Sequence, residues 1–101
     1  MIPNVSVNYV RKLLKDAEEA GFKLAVRCDG EVDYAGFHAA EAEDSIRAVD
    51  EAVLLLREGN GAVIGSALIV NSLEPEEQIA DTSGEWLEAW LLRNFGLGGT
   101  K

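Results

Sequence analysis

The stretch from residue 52 to residue 71 decides the fold: it reads AVLLLRE at 52–58, GNG at 59–61 and AVIGSALIVN at 62–71. Two apolar runs flank a glycine–asparagine–glycine turn, a pattern that predicts a β-hairpin with a three-residue loop. A phosphate-binding glycine loop would need a helix after its glycines, and the run that follows is typical of a strand.

The register of this hairpin predicts two apolar faces. A three-residue loop places Leu56 opposite Ile64 and Leu54 opposite Ser66. One face then carries Leu54, Leu56, Ile64, Leu68 and Val70, and the other carries Val53, Leu55, Val63, Ala67 and Ile69. Because both faces are apolar, we expect the hairpin to be central in its sheet and covered on both sides.

Another hairpin is predicted over residues 23–34, with Asp29–Gly30 as its turn. A two-residue loop would place Cys28 opposite Glu31 and would put acidic side chains on the apolar face. We therefore expect a three-residue loop or a bulge, with Cys28 opposite Val32.

Three segments show the apolar spacing of amphipathic helices: residues 7–20, 39–50 and 83–95. Ser6 or Asn8 can cap the start of the first helix. Each segment carries one apolar stripe, which predicts that the helices pack on the sheet rather than stand apart.

An acidic loop is predicted from Leu73 to Ser83, because this segment contains Pro75 and lacks a clear apolar period. Thr82 and Glu85 form a capping-box pattern for the last helix. The predicted order is αββαββα. It describes an α+β fold with a four-stranded antiparallel sheet (two hairpins) and three helices. We expect a single domain over residues 1–101, with loose ends at 1–5 and 97–101.

The charge distribution argues against nucleic-acid binding. The net charge is −9, and residues 74–88 hold six acidic side chains and no basic one. Phosphate groups would be repelled by such a surface. The longest apolar run, residues 62–70, is too short to span a membrane, and the single cysteine fits a reducing compartment, so we expect a cytoplasmic protein.

The sequence contains no recognisable catalytic constellation. A nucleophile–base pair could only be built from His38 with Cys28 or a serine, and no serine lies in a nucleophile elbow. His38 and Cys28 are also the only soft metal ligands, too few for a zinc site. We expect no catalytic residues, no metal and no cofactor.

A tryptophan pair and an acidic segment are the candidate contacts for a protein partner. Trp86 and Trp90 share one helix face, and tryptophan is enriched in interface hot spots. Core packing is the alternative role for these rings. Glu74, Glu76 and Glu77 precede them in the chain, so the predicted partner-binding residues are Glu74, Glu76, Glu77, Trp86 and Trp90.

From Gly21 to Asp81 the chain resembles small uncharacterised proteins of temperate bacteriophages and prophages. The likeness includes the strand that ends in Asp29–Gly30, and it is greatest over residues 73–81, LEPEEQIAD. The resemblance implies a phage accessory gene and supplies no catalytic residues.

Three functions follow as hypotheses. The first is a non-catalytic accessory protein that binds another protein in the bacterial cytoplasm, for example to inhibit a host nucleic-acid-binding or defence complex. The second is a structural homo-oligomer in which a homodimer covers the apolar hairpin. The third is a small-molecule-binding domain with a pocket near His38 and Tyr34.

Overall fold

The chain forms a five-stranded antiparallel sheet and three helices, in a computed structural model that describes residues 8–74 and 77–95. In chain order the elements are α1 (Tyr9–Glu19), β1 (Lys23–Cys28), β2 (Glu31–Gly36), α2 (Ala39–Arg47), β3 (Glu51–Arg57), β4 (Val63–Val70), β5 (Ile79–Ser83) and α3 (Glu85–Phe95). The α+β class is confirmed. The predicted loose ends, 1–5 and 97–101, lie outside the described residues.

The sheet has one strand more than predicted. Its order is β2-β1-β3-β4-β5, so the two predicted hairpins are joined through β1 and β3. The additional strand β5 lies in the segment expected to be a loop, and its Ile79 pairs with Ile69 of β4. A short edge strand of mostly half-exposed and exposed residues lacks the apolar period by which strands are recognised.

The capping-box prediction is wrong, because Thr82 lies inside β5 and pairs with Ala67. Helix α3 starts later than predicted, and the Gly84 carbonyl accepts its first helical hydrogen bond from Glu88 N at 3.0 Å. Gly84 has φ +106°, and a Cβ built on it would lie 2.8 Å from Gly65 Cα. Two glycines therefore allow the start of α3 to approach the backbone of β4 closely.

The central hairpin contains a β-bulge that changes its predicted register. Leu56 pairs with Gly65, and Ile64 is the extra residue of the bulge. Leu54 accordingly pairs with Ala67, one residue further along β4 than predicted. A shift of one residue exchanges the two faces of a strand.

The two faces of the central hairpin are therefore composed differently from the prediction. The buried face carries Leu54, Leu56, Gly65, Ala67 and Ile69. The opposite face carries Val53, Leu55, Ser66, Leu68 and Val70, all half-exposed.

The first hairpin combines a two-residue turn with a bulge. Asp29 and Gly30 both have positive φ (53° and 82°), as a type I′ turn requires. Cys28 pairs with Glu31, so the predicted pairing with Val32 is wrong. The expected bulge is present, but it lies between Val26 and Arg27 rather than at the turn.

All three helices contribute to one hydrophobic core on one face of the sheet. Its fully buried side chains include Leu13 and Leu14 of α1, Ile46 of α2, Leu87 and Trp90 of α3, and Leu24, Val26, Leu54, Leu56 and Ile69 of the sheet. These strand residues share one face by register. Within the described residues, the prediction that the hairpin is covered on both sides is wrong.

A buried hydrogen bond joins the first and last helices. Trp90 has no exposed surface, and its Nε1 donates to Asp16 Oδ2 at 2.8 Å. A buried indole N–H without an acceptor costs about 1–3 kcal/mol. Asp16 therefore satisfies the one polar atom of the largest side chain in the core.

We predict that Asp16→Ala lowers the free energy of unfolding by about 1–3 kcal/mol, because it leaves the Trp90 N–H without its acceptor. Asp16→Asn retains a carbonyl oxygen and should lose less. Glu19→Ala, on the exposed surface of the same helix, is the control and should stay within about 0.5 kcal/mol. Urea unfolding of the three variants measures the effect, and equal losses in Asp16→Ala and Glu19→Ala would contradict it.

Candidate interaction surface

One face of the sheet has no helix packed on it among the described residues. We call it the open face. Its apolar members are Ala25, Val32, Ala35, Val53, Leu55, Val63, Leu68 and Val70, and its charged members are Lys23, Arg27, Glu51, Arg57 and Asp81. The four aliphatic side chains at its centre, Val53, Leu55, Leu68 and Val70, are half-exposed and lie outside the core cluster.

The rim of the open face contains the more exposed apolar side chains. Val32 is 57% exposed, and Val63 is 49% exposed. Phe37, which follows β2, is 52% exposed and lines a shallow depression of about 420 Å³ together with Ala25 and Arg57. Isolated exposed apolar residues are ordinary, but a contiguous apolar sheet face marks an interaction site.

On the open face, opposite charges are separated along β3. Lys23 and Arg57 are directly paired neighbours at one end of β1 and β3. Glu51 lies at the other end of β3, and Asp81 lies beside Leu68 on β5. The open-face side of β3 thus has a basic end and an acidic end, with Val53 and Leu55 between them, and Arg27 adds a positive charge on β1 beside Val53.

Of the two predicted tryptophan contacts, Trp90 is not accessible in the folded chain. Trp90 has no exposed surface and belongs to the core. Trp86 is half-buried, and its ring packs edge-on against Phe22 with ring centroids 5.2 Å apart. The alternative role, core packing, therefore describes Trp90 fully and Trp86 in part.

Two of the predicted acidic contacts, Glu74 and Glu77, are described in the β4–β5 connection. Glu74 and Glu77 are exposed, and Glu77 N donates to Glu74 O at 2.7 Å. Glu76 lies outside the described residues. The structure groups Glu74 with Glu77 but does not bring them to Trp86. The turn is tied to the N-terminal end of α1, whereas Phe22, which contacts Trp86, follows the C-terminal end of this helix about 16 Å away.

Arg47 holds the acidic turn in place. Its Nη1 donates to Asn71 Oδ1 at 2.6 Å and to Gln78 Oε1 at 3.0 Å, and its Nη2 donates to Asn8 Oδ1 at 2.8 Å. Asn71 in turn donates to the carbonyl oxygens of Ile46 and Val49, at 2.8 and 2.7 Å. These bonds connect the start of α1, the end of α2 and the β4–β5 connection, where they engage the side chains of Asn71 and Gln78.

His38 and Cys28 do not form a catalytic pair. His38 is exposed at the position before α2, and its backbone N–H donates to the Tyr34 hydroxyl at 3.1 Å. Burial, together with the Asp33 carboxylate, raises the pKa of the Cys28 thiol to about 11. A thiol with this pKa is protonated at neutral pH and is a poor nucleophile.

A cleft of about 400 Å³ lies between α1 and α2 and is lined by Arg11, Glu18, Ala39 and Glu43. Arg11 Nε and Glu43 Oε1 form an ion pair at 3.0 Å in its wall. Two of the charged groups that line the cleft, Arg11 and Glu43, are thus already paired with each other.

Within the described ranges, no three His, Cys, Asp or Glu side chains are grouped as a metal site would require. None of the helices in those ranges is long and apolar enough to cross a membrane.

Comparison with protein-family models, curated proteins and solved structures gave no match to this chain. The resemblance to phage proteins therefore stays a prediction. The open face is the surface feature that sequence reasoning missed. Its signal was present in the two apolar faces of the central hairpin, but we expected both of them to be covered.

We predict that Cys28 reacts slowly with iodoacetamide at neutral pH and that its rate continues to rise up to about pH 11, because only the thiolate reacts. Removing the neighbouring charge in Asp33→Ala should lower the pKa and speed the reaction at pH 8. Mass spectrometry of the alkylated chain measures both rates. A rate that levels off near pH 8 in the unsubstituted chain would contradict this assignment.

Proposed function

We propose that this chain is a non-catalytic accessory protein that binds another protein through its open face. The observation that supports this function is a contiguous aliphatic sheet face, with Val53, Leu55, Leu68 and Val70 at its centre, on which no described helix packs. Burying such a face would stabilise the protein by about 25 cal/mol for each Å² of apolar surface removed from water.

The dimensions of the open face suit a protein rather than a small ligand. Five strands about 4.8 Å apart make the sheet about 24 Å wide. The seven residues of β3 make it about 23 Å long. The depression of about 420 Å³ beside Phe37 takes up only part of this surface, so most of the face is open rather than concave, whereas small molecules bind in concave sites.

Electrostatics favours the open face over the rest of the surface as the docking site. The chain carries −9 overall with nine Lys and Arg residues, and three of these nine, Lys23, Arg27 and Arg57, lie on the open face. Carboxylates dominate elsewhere and repel acidic partners. We therefore propose the open face of the sheet, and not the acidic segment at Glu74 and Glu77, as the surface that binds the partner.

The biological setting inferred from the sequence stays part of the proposal. A phage accessory protein that acts in the bacterial cytoplasm on a host complex would need a binding surface and no reaction centre. The open face provides a surface of that kind.

Site-specific photo-crosslinking in bacterial cells tests the proposal. Val63 on the open face and Leu92 on α3 are each 49% exposed, so they form a matched pair. With p-benzoylphenylalanine at position 63, we expect covalent adducts of higher mass that contain a second polypeptide. With the same probe at position 92, we expect few or none. Adducts that are absent from position 63, or equally frequent at both positions, would contradict the proposed function.

A further inference from the structure

We infer that the protein docked on the open face is a second copy of this chain, stacked sheet to sheet with its strands antiparallel to those of the first. This inference rests on the proposed function and names its partner. The resulting assembly has four layers: helices, sheet, sheet, helices.

The open-face side of β3 is complementary to itself. Its residues on this face are Glu51, Val53, Leu55 and Arg57, in that order. A twofold axis that crosses β3 at Leu54 exchanges position 51 with 57 and position 53 with 55. Each copy then places Glu51 over Arg57 of the second copy, and Val53 over Leu55.

The neighbouring strand β4 follows the same symmetry, whereas on β1 the axis exchanges Ala25 with Arg27. Val70 pairs with Glu51, and Val63 pairs with Arg57, so the axis exchanges these two valines. The exposed Val63 rim of one copy is covered by Val70 of the other. Isologous contacts of this type, in which one patch meets itself, are the commonest in homodimers.

Parallel stacking is disfavoured by charge. An axis running along the strands would bring the basic end of each copy, Lys23 and Arg57, against the same end of the other. Like charges placed together across an interface oppose association, whereas complementary ends fix its register.

Docking at the sheet edges is also disfavoured. The outer strand β2 is bulged opposite β1 and carries Glu31 and Asp33, and the outer strand β5 has only five residues. Bulged, charged and short edge strands resist pairing with another chain. The second copy therefore binds through the face.

The area of contact predicts a dimer of modest affinity. Two faces of the dimensions given above bury roughly 1,100 Å² together, near the lower limit for specific interfaces. The monomer–dimer equilibrium should therefore respond measurably to single charges.

Charge reversal and mixing test the arrangement by sedimentation equilibrium. Arg57→Glu places two carboxylates against each other at both symmetry-related contacts, and Glu51→Arg places two guanidinium groups there. Each variant alone should dimerise about tenfold more weakly. An equimolar mixture of the two variants should recover dimers, because each contact again joins one acid to one base.

Leu92→Glu on α3 is the control and should dimerise as the unsubstituted chain does. Leu55→Glu, at the centre of the open face, should abolish dimers, and circular dichroism checks that it remains folded. An unsubstituted chain that stays monomeric at all concentrations would overturn the inference. So would a mixture of Arg57→Glu and Glu51→Arg that associates no better than either variant alone.

The crosslinking experiment separates this inference from the proposed function. If the purified chain is monomeric and the adducts from position 63 contain a different polypeptide, the inference that the partner is a second copy is wrong. The proposal that the open face binds a protein is still supported. Adducts between two copies of this chain support both the proposed function and the inference of a homodimer.

Discussion

The bulge at Ile64 is the constraint on which the surface of this protein depends. It sets the phase of β4 against β3, so that Ala67 and Ile69 join Leu54 in the core. The alternate residues of both strands are then collected on the opposite face. Close to the bulge, Gly65 and Gly84 let α3 pack closely on β4. The core and the open face are thus two results of one pairing register.

The helices lie on one side because their apolar stripes bury that face of the sheet, and polar contacts on the same side join them to each other. Trp90 bonds to Asp16, and Arg47 connects α2 to the start of α1 and to the β4–β5 connection. These contacts engage Trp90 and attach Asn71 and Gln78 of the β4–β5 connection to the helices. The sheet face left without a packed helix is aliphatic at its centre and charged at its ends, and no group of metal-ligating side chains is found within the described residues.

Local patterns in the sequence predicted the three helices and both hairpins, since each has its own period and turn residues. The fifth strand was missed because Ile79–Ser83 is a short edge strand paired only with β4. The two faces of β4 were assigned the wrong way round in the prediction, because no residue type in the sequence indicates the bulge at Ile64. Trp90 was predicted as a partner contact because helical spacing places it on an apolar stripe. The spacing alone does not show whether that stripe is buried in the core or exposed to a partner.

The most direct test of this account is the accessibility of methyl groups, measured by NMR with a soluble gadolinium chelate on the Arg57→Glu chain, at a concentration low enough for its weakened dimer to dissociate. We predict strong relaxation for Leu55 and Leu68, and protection for Leu54 and Ile69, which are fully buried. Protection of Leu68 together with relaxation of Ile69 would show that β4 has the opposite phase, and equal protection of all four would show that both faces are covered. Either result would contradict an open apolar face.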